Sequence, residues 1–262
     1  MTWIFWISLS LLIFIYLGYG LLIWGYNLIK GEVSHPLATE DELPEVAIVI
    51  AAYNEAAVIH EKLQNTFSLD YPAGKFKVYL VCDGSDDETM HIAKSFQHVH
   101  ILWQPIRKGK TAAINRAMQY IEEPITVFTD ANVMLNSAAL RHLISHYADA
   151  KTGGVSGEKR VCEADILSAS ATEGLYWKYE SFVKWQEAKL NTLAGAAGEL
   201  FSIRTDLFKP LPEETVLDDF MISMNVIRQG YRIGYEPNAF AMETPSRDII
   251  EESKRKIRIA AG

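Results

Sequence analysis

The sequence predicts an α/β protein, a mixed, mostly parallel sheet flanked by helices over residues 46–245, with one membrane-crossing helix ahead of it and a basic amphipathic helix behind. Three observations lead there. Four short apolar, β-branched runs alternate with helix-spaced segments between Val46 and Asp130, the order that builds parallel right-handed crossovers. A stretch of 27 residues, Trp3 to Ile29, carries no charge. Carboxylates, amides and lysines gather where the apolar runs end, at the strand tips where open α/β sheets bind ligands.

Size and composition narrow the choice. With 262 residues and 49% hydrophobic content the chain can fill one large core. A net charge of −8 argues against nucleic acid as a partner. Cys82 and Cys162 match no zinc spacing and read as buried free thiols of a reducing compartment. His142 with His146, and His98 with His100, have metal-ligand spacing but no evident third ligand, so an exposed face is the default.

The first element, residues 1–30, is read as a single transmembrane helix. At 1.5 Å per residue the uncharged stretch reaches about 40 Å, more than a hydrocarbon core of about 30 Å, so the helix is tilted or overlong. Trp3, Trp6, Trp24 and Tyr26 lie near its ends, where aromatic belts sit. A buried globular helix is the alternative. Lys30 is the first charge, and the positive-inside tendency then puts the following domain in the cytoplasm. Residues 31–45 read as a polar linker.

Val46–Ala52 is a continuous apolar strand, and a helix to Phe67 follows with Val58, Ile59, Leu63 and Phe67 at helical spacing. Phe76 to Cys82 is the second strand, with Ser85 or Asp86 expected to cap the next helix. Val99 to Trp103 is the third strand. Arg107-Lys108-Gly109-Lys110-Thr111 opens a helix through Tyr120, and the fourth strand ends at Asp130. Neither G-x-G-x-x-G nor G-x-x-x-x-G-K-[ST] occurs at these turns, which argues against a nicotinamide or P-loop enzyme.

Beyond residue 137 the pattern changes. A helix from Ser137 to Ala150 leads to a Gly-rich strand, 153–161. Residues 165–191 form a long helical stretch with Tyr176, Trp177, Tyr179, Phe182, Val183 and Trp185, read as core in preference to a substrate-stacking face. Gly195 to Glu199 is a small-residue loop before a strand at Leu200–Arg204. Asp218-Asp219 opens a helix with Phe220, Met224 and Ile227 inward, and strands near 231–235 and 239–243 close the domain. Residues 246–262 carry Arg247, Lys254, Arg255, Lys256 and Arg258 opposite an isoleucine face, suited to a membrane surface, to a bound phosphate, or simply to solvent.

Within this frame, Asp130-Ala131-Asn132 presents two oxygen-bearing side chains at i and i+2 past a strand end. They can point at one hard cation or one diphosphate. Equally, Asp130 can start a turn while Asn132 or Asn136 caps the next helix. Lysines 108 and 110 and a helix N-terminus supply positive charge on a rim that also collects Tyr53, Glu55, Asp83 and Asp86, which suits a nucleotide with its metal.

Taken together, Tyr53-Asn54-Glu55, Cys82-Asp83-Gly84-Ser85, Gly109-Lys110-Thr111-Ala112-Ala113-Ile114-Asn115, Thr129-Asp130-Ala131-Asn132, Gly195-Ala196-Ala197-Gly198 and Leu217-Asp218-Asp219 resemble a family 2 inverting glycosyltransferase, of the cellulose, hyaluronan and poly-N-acetylglucosamine synthase kind. The resemblance spans residues 44–262. It implies a GT-A fold, a nucleotide-sugar donor with UDP first in line, a Mg²⁺ or Mn²⁺ ion, a glycan or glycolipid acceptor, and partner membrane subunits. It further implies that Tyr53, Glu55 and Asp83 hold the nucleoside and that Lys110 meets base or phosphates. Asp130 and Asn132 then take the ion, Arg258 reaches phosphate, Gly198, Glu199 and Asp218 border the acceptor, and Asp219 is the general base. Asn132 stands where the family has a second metal aspartate. Arg255-Lys256-Ile257-Arg258-Ile259 replaces Gln-x-x-Arg-Trp, without the tryptophan that stacks on an acceptor sugar.

Inverting transfer needs a base on one side of the anomeric carbon and a cation on the other. Asp219 and an ion at Asp130 fill those roles from different rim loops. A sugar-to-lipid-phosphate transferase and a non-catalytic nucleotide-binding subunit are the other readings open at this point.

Overall fold

The structure, a computed structural model, describes residues 2–30, 37, 39–161 and 171–243. Arg258 and the whole expected basic helix, Cys162, and much of the 31–45 linker lie outside the described residues.

Eight strands form one sheet in the order β3-β2-β1-β4-β7-β6-β8-β5. β1 (Val46–Ala52), β2 (Phe76–Asp83), β3 (Val99–Gln104) and β4 (Ile125–Asp130) are mutually parallel. β7 (Leu200–Arg204) pairs antiparallel with β4 and with β6 (Thr152–Val161), and β6 runs parallel to β8 (Arg232–Glu243). The strands read as unbroken apolar runs because both faces are covered. Val46, Ile48, Ile50, Val78, Leu80 and Val127 meet α2 (Ile59–Phe67) and α5 (Ala139–Ser145) on one face. Ala47, Val49, Val81, Phe128 and Phe201 meet α4 (Lys110–Ala117) and α7 (Asp218–Arg228) on the other. Each fully buried Ile or Leu contributes on the order of 2 kcal/mol, so the sheet is the rigid platform for its loops.

Several elements depart from expectation. β5 (Val133–Leu135) follows Asn132 at once and pairs antiparallel with the end of β8, where a helix lead-in was expected. β8 is one strand instead of two. Its register against β6 slips between Gly157↔Glu236 and Glu158↔Phe240, and Pro237, which has no N–H for the ladder, sits in the bulge. α3 (Thr89–Ala93) has no side-chain cap, because Ser85 and Asp86 bond back to Asn54 instead. Asn136 does not cap α5 but exchanges hydrogen bonds with Phe240 and Asn238 of the β8 region. On α7 Ile222, Ser223 and Val226 are buried, with Ile227 packed beside them as expected; Phe220 instead is 42% exposed.

The N-terminal helix, α1, is continuous over Thr2–Lys30 with a π turn at Phe14–Gly18, and it is long and apolar enough to cross a membrane. Its last turns face the domain. Gly20, Ile23 and Asn27 are buried, and Asn27 Nδ2 donates to the carbonyl and side-chain oxygens of Gln186 on α6 (Ala171–Leu190). Lys30 Nζ donates to the Lys189 and Leu190 carbonyls at the C-terminus of α6, the end where a cation is favoured. Residues 20–30 of α1 therefore form a docking segment against α6. α6 correspondingly is not a core helix: Trp177 and Trp185 are more than a third exposed.

Candidate active site

The loops after β1 and β2 are laced together at the sheet's C-terminal edge. Asn54, in a left-handed backbone conformation, donates from Nδ2 to Asp86 and accepts from the Asp86 N–H. The Glu55 N–H donates to Thr89 Oγ1 and the Ala56 N–H to Asp87. Arg107 lies 3.7 Å over the Tyr53 ring. Asp83, buried, accepts from the Lys108 N–H at 2.9 Å, the Gly109 N–H at 2.6 Å and Gln104 Nε2. Arg116 stands 3.7 Å away. Gly84 is required here, with φ +72° and the Arg107 backbone nitrogen 2.4 Å from where a Cβ would sit. Asp83 thus secures the 107–109 turn that opens α4.

That turn borders a cleft of about 530 Å³. Lys110, Asp130, Asn132, Gly198, Glu199, Asp218 and Asp219, from four separate segments, all line it. Asp130 leaves the end of β4, and Lys110 Nζ reaches its Oδ1 at 2.7 Å and Asp218 Oδ2 at 3.8 Å. Asp218 and Asp219 form the first turn of α7. Gly198 is where it is because a Cβ there would stand 2.8 Å from Asp219 Oδ2. Tyr53, Glu55 and Asp83 lie outside this lining, on the adjoining rim.

The charges divide the cleft. Burial works against the Lys110 ammonium, but Asp130, Asp218 and Asp219 outweigh it and hold its pKa above the ordinary lysine value. Asp219 is pushed up to about 6, by burial first and then by Asp218, against the opposing pull of the Phe220 N–H and Lys110. Glu55 is pushed up to about 7 by burial, with Asp130 and Asp87 adding like-charge repulsion. A carboxylate paired with a lysine and one with raised proton affinity therefore line the same cleft.

A sequence model described as "Glycosyltransferase like family 2" matches residues 44–262. The chain belongs to that family. Among curated proteins it is 31% identical over 131 residues to the beta-monoglucosyldiacylglycerol synthase of Trichormus variabilis, covering 48% of this chain and 28% of the relative. It is 25% identical over 234 residues to the poly-beta-1,6-N-acetyl-D-glucosamine synthase of Staphylococcus aureus, covering 85% and 55%. The chain thus spans little more than half the length of these relatives, or less. Among solved structures, the mannosyltransferase PcManGT of Pyrobaculum calidifontis, in complex with GDP-Man and Mn²⁺, superposes with TM-score 0.76 at 24% identity, over 94% of this chain and 71% of that one. The glucosyl-3-phosphoglycerate synthase of Mycobacterium tuberculosis, in complex with Mn²⁺, UDP and glucosyl-3-phosphoglycerate, gives 0.57 at 16% identity, over 85% and 81%. These likenesses establish the GT-A architecture.

For this family 2 member, the donor set at Asp130 fits an ion of the Mg²⁺ or Mn²⁺ kind. Such ions keep waters and take one or two carboxylates together with substrate phosphates, not an all-protein cage. Lys110 engages Asp130 Oδ1, which leaves Oδ2 and the Asn132 amide as donors. Among the described residues no group of three or more His, Cys, Asp or Glu has metal-binding geometry. One histidine of each pair has a structural contact: His146 pairs with Glu236 at 2.9 Å, and His100 stacks on Tyr79.

Two features of the site escaped the sequence reading. The 208–217 segment contributes Glu213, Thr215 and Val216 to the cleft, held by Thr111 Oγ1 on the Thr215 carbonyl and by paired bonds between Asn115 and Leu211. Lys62 of α2 is fully buried beneath Asp130, with its pKa lowered to about 7 by burial although Asp130 pulls it up. Its place three residues after Ile59 and next to Leu63, on the inward face, was the available signal.

Proposed function

We propose that this chain is a membrane-anchored inverting glycosyltransferase that moves a sugar from a nucleotide donor, a UDP-sugar in the first instance, to a glycan or glycolipid acceptor. Asp219 is the base, and Asp130 with Asn132 holds Mg²⁺ or Mn²⁺. The observation that carries this reading is convergence: Lys110, Asp130, Asn132, Gly198, Glu199, Asp218 and Asp219 border one cleft although they span more than a hundred residues of sequence. Family membership over residues 44–262 supports it.

In the reaction the acceptor hydroxyl, resting near Gly198 and Glu199, loses its proton to the Asp219 carboxylate. Its oxygen forms a bond to the anomeric carbon as the bond from that carbon to the phosphate oxygen breaks. The nucleoside diphosphate leaves with that electron pair beside Lys110, whose ammonium is held charged by its carboxylate neighbours. A bound Mg²⁺ or Mn²⁺ supplies further neutralisation of the diphosphate oxygens. Tyr53 and Glu55 receive the nucleoside on the adjoining rim, while Asp83 keeps the 107–109 turn in place for it.

A lipid acceptor is favoured over a soluble one by the anchor, since α1 docks on α6 through Asn27 and Lys30 and holds the domain at a bilayer. The relative named for a glucosyldiacylglycerol points the same way. The catalytic domain faces the cytoplasm, following Lys30. The test is release of UDP or GDP from a panel of nucleotide sugars by detergent-purified protein, with Mn²⁺ or with EDTA, offering lipid extract or oligosaccharide as acceptor. Mn²⁺-dependent release that lipid stimulates is expected. Tight nucleotide binding with no release from any donor would contradict the reading and leave a binding subunit.

A further inference from the structure

Lys62 is an unusual residue to bury. Its side chain is 0% exposed, and its Nζ donates to Thr129 Oγ1 at 2.9 Å and to the Val133 carbonyl at 2.8 Å. Those partners are a hydroxyl and a carbonyl; among the described residues no carboxylate touches Nζ, and only the more distant charge of Asp130 offsets part of the cost of taking an ammonium out of water. An apolar side chain would fill the space more cheaply. The contacts instead bracket Asp130-Ala131-Asn132, one on each side. Thr129 Oγ1 in turn donates to the Glu199 carbonyl at 3.0 Å, so a buried relay runs from Lys62 through Thr129 to the residue beside Gly198 on the opposite wall. One turn further along α2, Asn65 completes the clasp with paired bonds to the Leu135 backbone.

We propose that Lys62 is a positioning residue whose Nζ grips the chain on both sides of Asp130 and Asn132 and thereby sets the aim of these two side chains toward the ion. The inference rests on the reading of Asp130 and Asn132 as the ion's ligands. It makes Lys62 an outer support of the ion site, a class of residue whose loss costs about 10–100-fold in metal affinity.

The probe is UDP, titrated calorimetrically into the full chain in detergent, once with Mn²⁺ and once with EDTA. Wild type is expected to bind UDP more tightly with Mn²⁺. In Lys62→Met the gain conferred by Mn²⁺ is expected to fall about tenfold or more, while UDP affinity in EDTA stays within about twofold. Mn²⁺ resonance spectra should report a looser ion environment in the variant. A gain that survives, or an equal loss with and without Mn²⁺, overturns the inference, because general loosening would weaken both. Absence of any Mn²⁺ gain in wild type overturns the reading of Asp130 and Asn132 itself. If Lys62→Met does not fold, Lys62→Gln keeps donors on a shorter arm, and a loss of the Mn²⁺ gain between threefold and tenfold is expected; an undiminished gain there also overturns the inference.

Discussion

The two walls of the cleft carry the same functional group in contrasting surroundings. On the donor wall Asp130 leaves a fully packed parallel strand and meets Lys110 at 2.7 Å, so its charge is matched from the start. On the acceptor wall Asp219 sits in the first turn of α7 beside Asp218, against a glycine, with burial and like charge raising its pKa to about 6. The difference teaches that the neighbour, not the carboxylate, assigns the role. Under the proposed assignment the lysine-paired acid serves the ion, and crowding gives the other enough proton affinity to act as a base near neutral pH.

Breaking the acceptor wall should have the largest effect. Asp219→Asn is expected to slow single-turnover transfer by about 10²–10⁴, with UDP affinity in Mn²⁺ unchanged within about twofold; matched losses in both would mean the walls do not divide the work. Breaking the donor wall comes next. Lys110→Met removes a charge-assisted bond worth about 1.5–3 kcal/mol, so UDP binding should weaken by roughly 10–100-fold in the same titration. Gly198→Ala sharpens the contrast, because its Cβ would meet Asp219 Oδ2 at 2.8 Å and displace it. A rate loss of about tenfold with unaltered UDP affinity is expected, on the ground that small misplacements at the reacting centre cost rate. The smallest effect belongs to the anchor contact. Asn27→Leu removes the Asn27 donor from the Gln186 side-chain and backbone oxygens and should lower stability by about 1–2 kcal/mol on thermal unfolding. UDP affinity should not move, which would show that both walls are set within the domain.

Much of this was legible beforehand, and the rest fails for identifiable reasons. The parallel half could be read because Val46–Ala52, Phe76–Asp83 and Ile125–Asp130 are apolar on both faces and end in polar turns. Asp130 could be placed on the rim because it ends a parallel strand, whereas Asp219 follows an antiparallel strand and was assigned only through the family resemblance. Pairings distant in the chain were not legible. β5 exists only because β8 offers it an edge, and β8 looks like two strands because Pro237 interrupts its ladder. α6 looked like core because its aromatics repeat at helical spacing, yet part of its surface is reserved for α1. Lys62 lies on the inward face of its helix by spacing, but charge on a helix ordinarily means solvent, and it is the positions of Thr129 and Val133 that give its buried amine partners.

The division of roles is tested most directly by the pH dependence of single-turnover transfer at saturating donor and Mn²⁺, in wild type and in Asp218→Asn. Asp219 must be ionised to accept the proton, so the rate should fall about tenfold per unit below an inflection near pH 6. Removing the Asp218 charge should move that inflection toward lower pH, as the like-charge contribution disappears. A rate indifferent to pH down to 5, or an inflection that stays fixed when Asp218 is neutral, would contradict the assignment of Asp219 as the base.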